Sequence, residues 1–176
     1  METKTAGELM IPLDEYPHIP YWFTVRQAIA LIQHSELEIG GKKSLARAVL
    51  VFDEEYQLLG MIRRRDIIRG IDPKTILGNY DNNPKNPFSV DIDPNLLEIS
   101  YDKLVNVLKE QAEKPVSEVM IPIEYAVEQD DHLIKIMFEM NHHNFSMIPV
   151  TKDGAVVGVI RTVEVISELS KILDIS

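Results

Sequence analysis

Leu133, Ile136, Met137 and Met140 fall at i, i+3, i+4 and i+7, the stripe that one helical face turns toward a core. Asp130 or Asp131 is the expected N-cap of that helix. Met147-Ile148-Pro149-Val150-Thr151 then reads as a strand, and Val156 to Ile160 as a second one. Between them Lys152-Asp153-Gly154-Ala155 carries the Asp-Gly pair of a tight hairpin. A last amphipathic helix is expected from about Thr162 to Leu173. With a short strand ahead, the order is strand, helix, strand, strand, helix.

The first half of the chain repeats this order. Val25, Ala28, Ile29 and Ile32 form the matching helical stripe, at an offset of 108. Val49 to Phe52 is the expected strand, Asp53 to Gln57 the turn, and Leu58 to Ile62 the return strand. The repetition is literal in places. Gly7-Glu8-Leu9-Met10-Ile11-Pro12 and Ser117-Glu118-Val119-Met120-Ile121-Pro122 share four of six residues, at an offset of 110. Gly60-Met61-Ile62-Arg63-Arg64-Arg65-Asp66 is echoed by Gly158-Val159-Ile160-Arg161-Thr162-Val163-Glu164, at an offset of 98. A duplicated unit cannot usually bury its apolar face alone, so the copies are expected to pack on each other and hold a ligand cleft between them.

The falling offset places an insertion within residues 33–47, and Gly40-Gly41-Lys42-Lys43-Ser44 gives it the composition of a loop covering a cleft. Between the copies, Asn79 to Pro94 reads as a surface loop. Leu97, Tyr101, Leu104 and Leu108 suggest a helix that Pro115 ends, with either the body of the domain or another subunit as its partner. The expected organisation is a first unit over 1–71, a linker over 72–114 and a second unit over 115–176.

Apolar residues make up 45% of the chain, an ordinary balance for a globular protein. No apolar run is long enough to span a membrane, and Met1-Glu2-Thr3-Lys4 opens no signal peptide, so the cytoplasm is the expected compartment. The absence of cysteine rules out disulfides, thiolate catalysis and sulfur-ligated metal. A net charge of −10 makes nucleic acid an unfavourable partner and makes Arg63-Arg64-Arg65 a local reversal of sign.

Two ordered units, each with Met-x-Pro at its start and Gly-x-Ile-x-x-x-Asp/Glu at its end, resemble the CBS domain, and the tandem resembles a Bateman module. Phe145-Ser146-Met147-Ile148-Pro149-Val150 is similar to the family's second strand. The resemblance implies an α/β (α+β) fold: two β-α-β-β-α repeats packed with pseudo-twofold symmetry through their sheets. It implies a regulatory module, commonly homodimeric, that binds AMP, ADP, ATP or S-adenosylmethionine between the repeats and acts on a partner protein. That partner is expected to be a separate protein.

The family's ligand motif is Gly-h-h-Ser/Thr-x-x-Asp, where h is apolar. Asp66, and Glu164 with a longer reach, match its ribose-binding acid. The hydroxyl position holds Arg63 in one copy and Arg161 in the other, with Thr162 one residue late. A guanidinium suits phosphate, and a helix N-terminus favours anions, so Arg63, Arg64, Arg65 and Arg161 are candidate phosphate ligands. The plainer alternative is that they pair with surface carboxylates. Met10, Ile11 and Pro12 with Ile148 and Pro149, and Met120, Ile121 and Pro122 with Leu50 and Val51, are family-placed candidates for a base slot. Each is equally well read as core.

His132, His142 and His143 match no metal spacing and read as a solvated helix end. The Gly40 to Ser44 run lacks the phosphate-loop register. Tyr21-Trp22-Phe23 reads as a core plug or a contact surface. No nucleophile–base pair is apparent, so a sensor rather than an enzyme is expected. A structural or protein-interaction module with no small ligand is the alternative, supported by the missing hydroxyls.

Overall fold

The computed structural model describes residues 4–39, 41–72 and 101–175. Asn79 to Pro94 and Leu97 lie outside the described residues. The elements are α1 (Ala6–Leu9), β1 (Ile11–Pro12), β2 (His18–Pro20), α2 (Val25–His34), β3 (Glu36–Ile39), β4 (Lys42–Leu45), β5 (Ala48–Phe52), β6 (Leu58–Arg63) and α3 (Arg64–Ile71). They continue with α4 (Tyr101–Ala112), β7 (Ile121–Pro122), β8 (Val127–Glu128), α5 (Leu133–His142), β9 (Met147–Lys152), β10 (Ala155–Arg161) and α6 (Thr162–Ile172).

Two four-stranded sheets carry the same order. One runs β1-β10-β9-β8 and the other, read from its exchanged edge, β7-β6-β5-β2. In each, two antiparallel central strands are flanked by a parallel edge strand, β8 or β2. The opposite edge is a two-residue strand supplied by the other unit. Ile11 pairs with Val159, and Ile121 with Met61. The Met-Ile-Pro segment of each half is therefore held in the sheet of the other half.

The central strands are buried on both faces, which is why they read as continuous apolar runs. Ala48, Leu50, Phe52 and Met61 of one sheet meet Ile11, Met147 and Val159 of the other in the core between the sheets. The alternate residues point outward. Val49, Val51 and Ile62 lie under α2 and α3 with Val116 and Val119, and Ile148, Val150 and Ile160 lie under α5 and α6 with Ala6 and Leu9. The molecule is thus helices, sheet, sheet, helices. Here too the opening turn of each half packs beneath the other half's helices.

The hairpin turn at Asp153-Gly154 has φ of 51° and 80°, the conformation expected of an Asp-Gly pair. Two sequence readings are corrected, and one that was left open is settled. Neither Asp130 nor Asp131 caps α5; its N-cap is His132, while Asp131 accepts from the Glu128 N–H and pairs with Lys135. The insertion is not all loop: Glu36–Ile39 and Lys42–Leu45 pair antiparallel as β3 and β4, with Glu36 paired to Lys43. α4 packs on α2 and α3 of its own chain, and an Arg26–Glu113 ion pair ties its end to α2, so its partner is the body of the domain.

Candidate functional site

Arg63 ends β6 opposite Ala48, and Arg161 ends β10 opposite Met147. Pseudo-twofold packing brings both strand ends, and the helix starts that follow them, to one mouth. A cleft of about 780 Å³ opens there. Its basic wall is Arg47, Arg63, Arg64, Arg65 and Arg161. The remainder is Tyr16, Ala48 and Met61 from the first half, and Asn144 to Met147 with Thr162 and Val163 from the second.

Each helix begins with an arginine as N-cap and an acid three residues later. The Asp66 carboxylate accepts from the Arg63 backbone N–H at 2.9 Å, from its Nε at 2.7 Å and from its Nη2 at 2.9 Å. Arg69 Nη2 adds a fourth contact at 3.2 Å. Glu164 repeats the arrangement with the Arg161 N–H, Nε and Nη2 at 2.9, 3.0 and 2.6 Å. A short acid at the third helical position satisfies an otherwise unpaired N–H and meets the positive end of the helix dipole. The arginine fork adds a bidentate ion pair.

Asp66 is 1% exposed and Glu164 8%. Neither lines the cleft. Burial pushes the Asp66 carboxyl up, but hydrogen bonds from Arg63 and the charges of Arg63 and Arg69 outweigh it and hold it below the usual carboxylate range. Asp131 is held low in the same way, against burial, by Lys135 and the Glu128 N–H. Both folded values lie below the unfolded value of about 3.9. Their stabilisation is therefore complete above that pH and is lost as pH falls through the folded values. Urea midpoints should stay level from neutrality to about pH 5 and fall below about pH 4. A midpoint unchanged down to about pH 2.5 contradicts this linkage.

Arg47, Arg64 and Arg65 differ from the capping arginines. They are exposed and line the cleft, and their side chains carry no ion pair or hydrogen bond among the described residues. Arg161 Nη1 also reaches Ser44 Oγ at 3.4 Å, so the inserted hairpin touches the second half's helix start. Tyr16 is buried beside the cleft, and its hydroxyl donates to the Ala48 carbonyl at 3.1 Å. Burial pushes its pKa up to about 12, so it stays a neutral donor.

The expected phosphate residues Arg63, Arg64, Arg65 and Arg161 all meet at this cleft, and Thr162 lines it as the first residue of α6, whose N-cap is Arg161. The expected base-slot residues do not line it. Ile11, Leu50, Val51 and Ile148 are core. Pro149 borders a separate depression with Tyr56 and Tyr125. Met10 sits over Gly158 and Met120 over Gly60, with Pro12, Ile121 and Pro122 in the exchanged strands. Sequence reasoning missed Arg47 and Tyr16. Arg47 directly precedes β5 as Ser146 precedes β9, a signal visible only after the strands are aligned. His142 and His143 stack with Phe138 and with Tyr125 and Phe145, and no metal-binding cluster is found among the described residues. In the aromatic run, Tyr21 and Phe23 pack against the core while Trp22 is 52% exposed. No described helix is long and apolar enough to cross a membrane.

A family model of the CBS domain matches residues 116–171. No curated protein matches the chain. Among solved structures, the CBS-pair protein CBSX2 from Arabidopsis thaliana superposes with a TM-score of 0.64 at 16% identity, covering 99% of this chain and 100% of that one. CBSX2 in complex with AMP gives 0.60 at 16% identity, covering 97% and 98%. The cytosolic domain of the Mg2+ channel MgtE in complex with ATP gives 0.59 at 20% identity, covering 94% of this chain and 49% of that one. Residues 116–171 are thus a CBS domain, and the chain as a whole has the fold of a tandem CBS pair.

Proposed function

We propose that this CBS pair is a sensor that binds an adenine nucleotide in the arginine-lined cleft and regulates a partner protein. The observation that carries this reading is the cluster of Arg47, Arg64 and Arg65, unpaired among the described residues, at the junction of the two halves of an acidic protein. Guanidinium forks suit phosphate oxygens. Structures of the same fold with AMP and with ATP support the ligand class. A ligand touching both halves favours one packing of the pair and so changes the surface that a partner meets.

Titration calorimetry with AMP, ADP, ATP and S-adenosylmethionine tests this directly. Micromolar binding by a nucleotide is expected, with the folded state stabilised by about 2.7 kcal/mol at a hundred-fold excess over Kd. Sedimentation of the same samples measures the expected homodimer and any change with ligand. The closed Arg63–Asp66 and Arg161–Glu164 pairs favour one other reading, an interaction module with no small ligand. Absence of both heat and stabilisation with all four compounds selects it.

A further inference from the structure

Resting on the reading of this cleft as the ligand site, we propose that it selects its ligand by the phosphate chain and not by the nucleoside. A bare linear polyphosphate is then recognised about as well as a nucleoside triphosphate.

Recognition of a ribose by Asp66 or Glu164 needs free acceptor positions. A carboxylate offers about four. Those of Asp66 take four donors from Arg63 and Arg69, and Glu164 takes three from Arg161. Both acids are buried away from the cleft wall. The N-cap arginine thus takes three positions of the acid of its own motif in each half, and Arg69 takes the fourth of Asp66. A diol reaching Asp66 has to displace a bidentate charged pair with a neutral donor, which is an unfavourable exchange.

The wall offers little for a base. Ala48, Met61 and Met147 are almost fully buried. Phe145 already stacks on His143, with ring centroids 5.3 Å apart. The Tyr16 hydroxyl is engaged by Ala48. Of the exposed lining, Asn144, Ser146 and Thr162 are small and polar and Val163 is a single apolar side chain, while Arg47, Arg64 and Arg65 are cationic, with no acid paired to any of them among the described residues. Like charges gathered in a partly enclosed site repel one another, and a multivalent anion relieves this. A phosphate chain supplies successive anionic groups for such a row of forks.

The test is calorimetry on the full chain in Mg-free buffer, with inorganic triphosphate, ATP, GTP and adenosine. Triphosphate, ATP and GTP are expected within about ten-fold of one another, and adenosine is expected to give no heat. The double variant Arg64→Ala/Arg65→Ala should weaken all three by roughly a hundred-fold, two charged contacts being lost. Arg26→Ala, a surface residue on α2, removes a charge but should leave binding unchanged. Raising the salt should weaken all three together. If ATP binds while triphosphate and GTP do not, phosphate selection is overturned and the nucleotide reading stands. If triphosphate binds and ATP does not, the nucleotide reading falls, and the equal recognition proposed here falls with it. If nothing binds, both fall. Triphosphate binding untouched by the double arginine variant places the site elsewhere and also overturns the proposal.

Discussion

Gly158→Ala is expected to cost about 3 kcal/mol of folding free energy, a large share of the roughly 5–15 kcal/mol that holds a domain together. A Cβ at Gly158 falls 2.5 Å from the Ile11 carbonyl oxygen, 2.7 Å from Met10 Sδ and 3.1 Å from Met10 Cγ. The methionine can swing aside. The carbonyl cannot, because it belongs to β1, which pairs with β10 through Ile11–Val159 and Pro12–Gly158. Accommodating the methyl group lifts the exchanged strand and draws Ile11, 3% exposed, out of the core between the sheets. Gly60 holds the same place opposite Pro122 and against the Ile121 carbonyl, so Gly60→Ala should behave alike. Gly154→Ala is the control. It meets nothing within 4 Å, and its φ of 80° costs only about 1 kcal/mol of local strain. Equilibrium urea unfolding of the three variants measures this. A Gly158→Ala midpoint equal to that of the parent would falsify the view that close backbone approach secures the exchange.

Asp66→Asn is expected to lower stability by about 2 kcal/mol and yet to raise affinity for phosphate-bearing ligands several-fold. The asparagine keeps an acceptor for the Arg63 N–H but loses the charge that holds two guanidinium groups. Arg63, already on the cleft wall, is then released to join Arg64 and Arg65. A ribose-binding acid predicts the opposite, since its replacement removes affinity. Chemical denaturation with parallel ATP titration separates the two. A stable variant that has lost ATP binding sinks the account of Asp66 as a closed pair. Glu164→Gln should follow the same pattern through Arg161.

Much of this molecule is legible locally. The stripes at Val25, Ala28 and Ile32 and at Leu133, Ile136 and Met140 became buried helical faces, because a 3.6-residue period is a property of the chain itself. The Asp153-Gly154 hairpin was legible for a similar reason, since few other residue pairs accept two positive φ values. Glu36 to Leu45 was misread. Glycines and lysines suggested a loop, yet Leu37 packs into the core between the sheets and holds a hairpin in place. That outcome depends on a surface supplied by distant residues, which a local window does not contain.

The amino-acid sequence by itself determined the repeat, its order of elements, and the cluster of positive charge that follows Gly60. These rest on spacing and residue type, both of which act over a few neighbouring positions. Only the tertiary structure decided which half owns each Met-Ile-Pro strand, where Arg47 stands, and what the acids of the two motifs do. The motif of the resembled family placed Asp66 and Glu164 where a ligand acid belongs. Folding turned each of them onto the arginine three residues earlier, because a buried carboxylate takes the nearest strong donors available. Arg64 and Arg65, one and two positions further on, point away from those acids and keep their charge at the cleft.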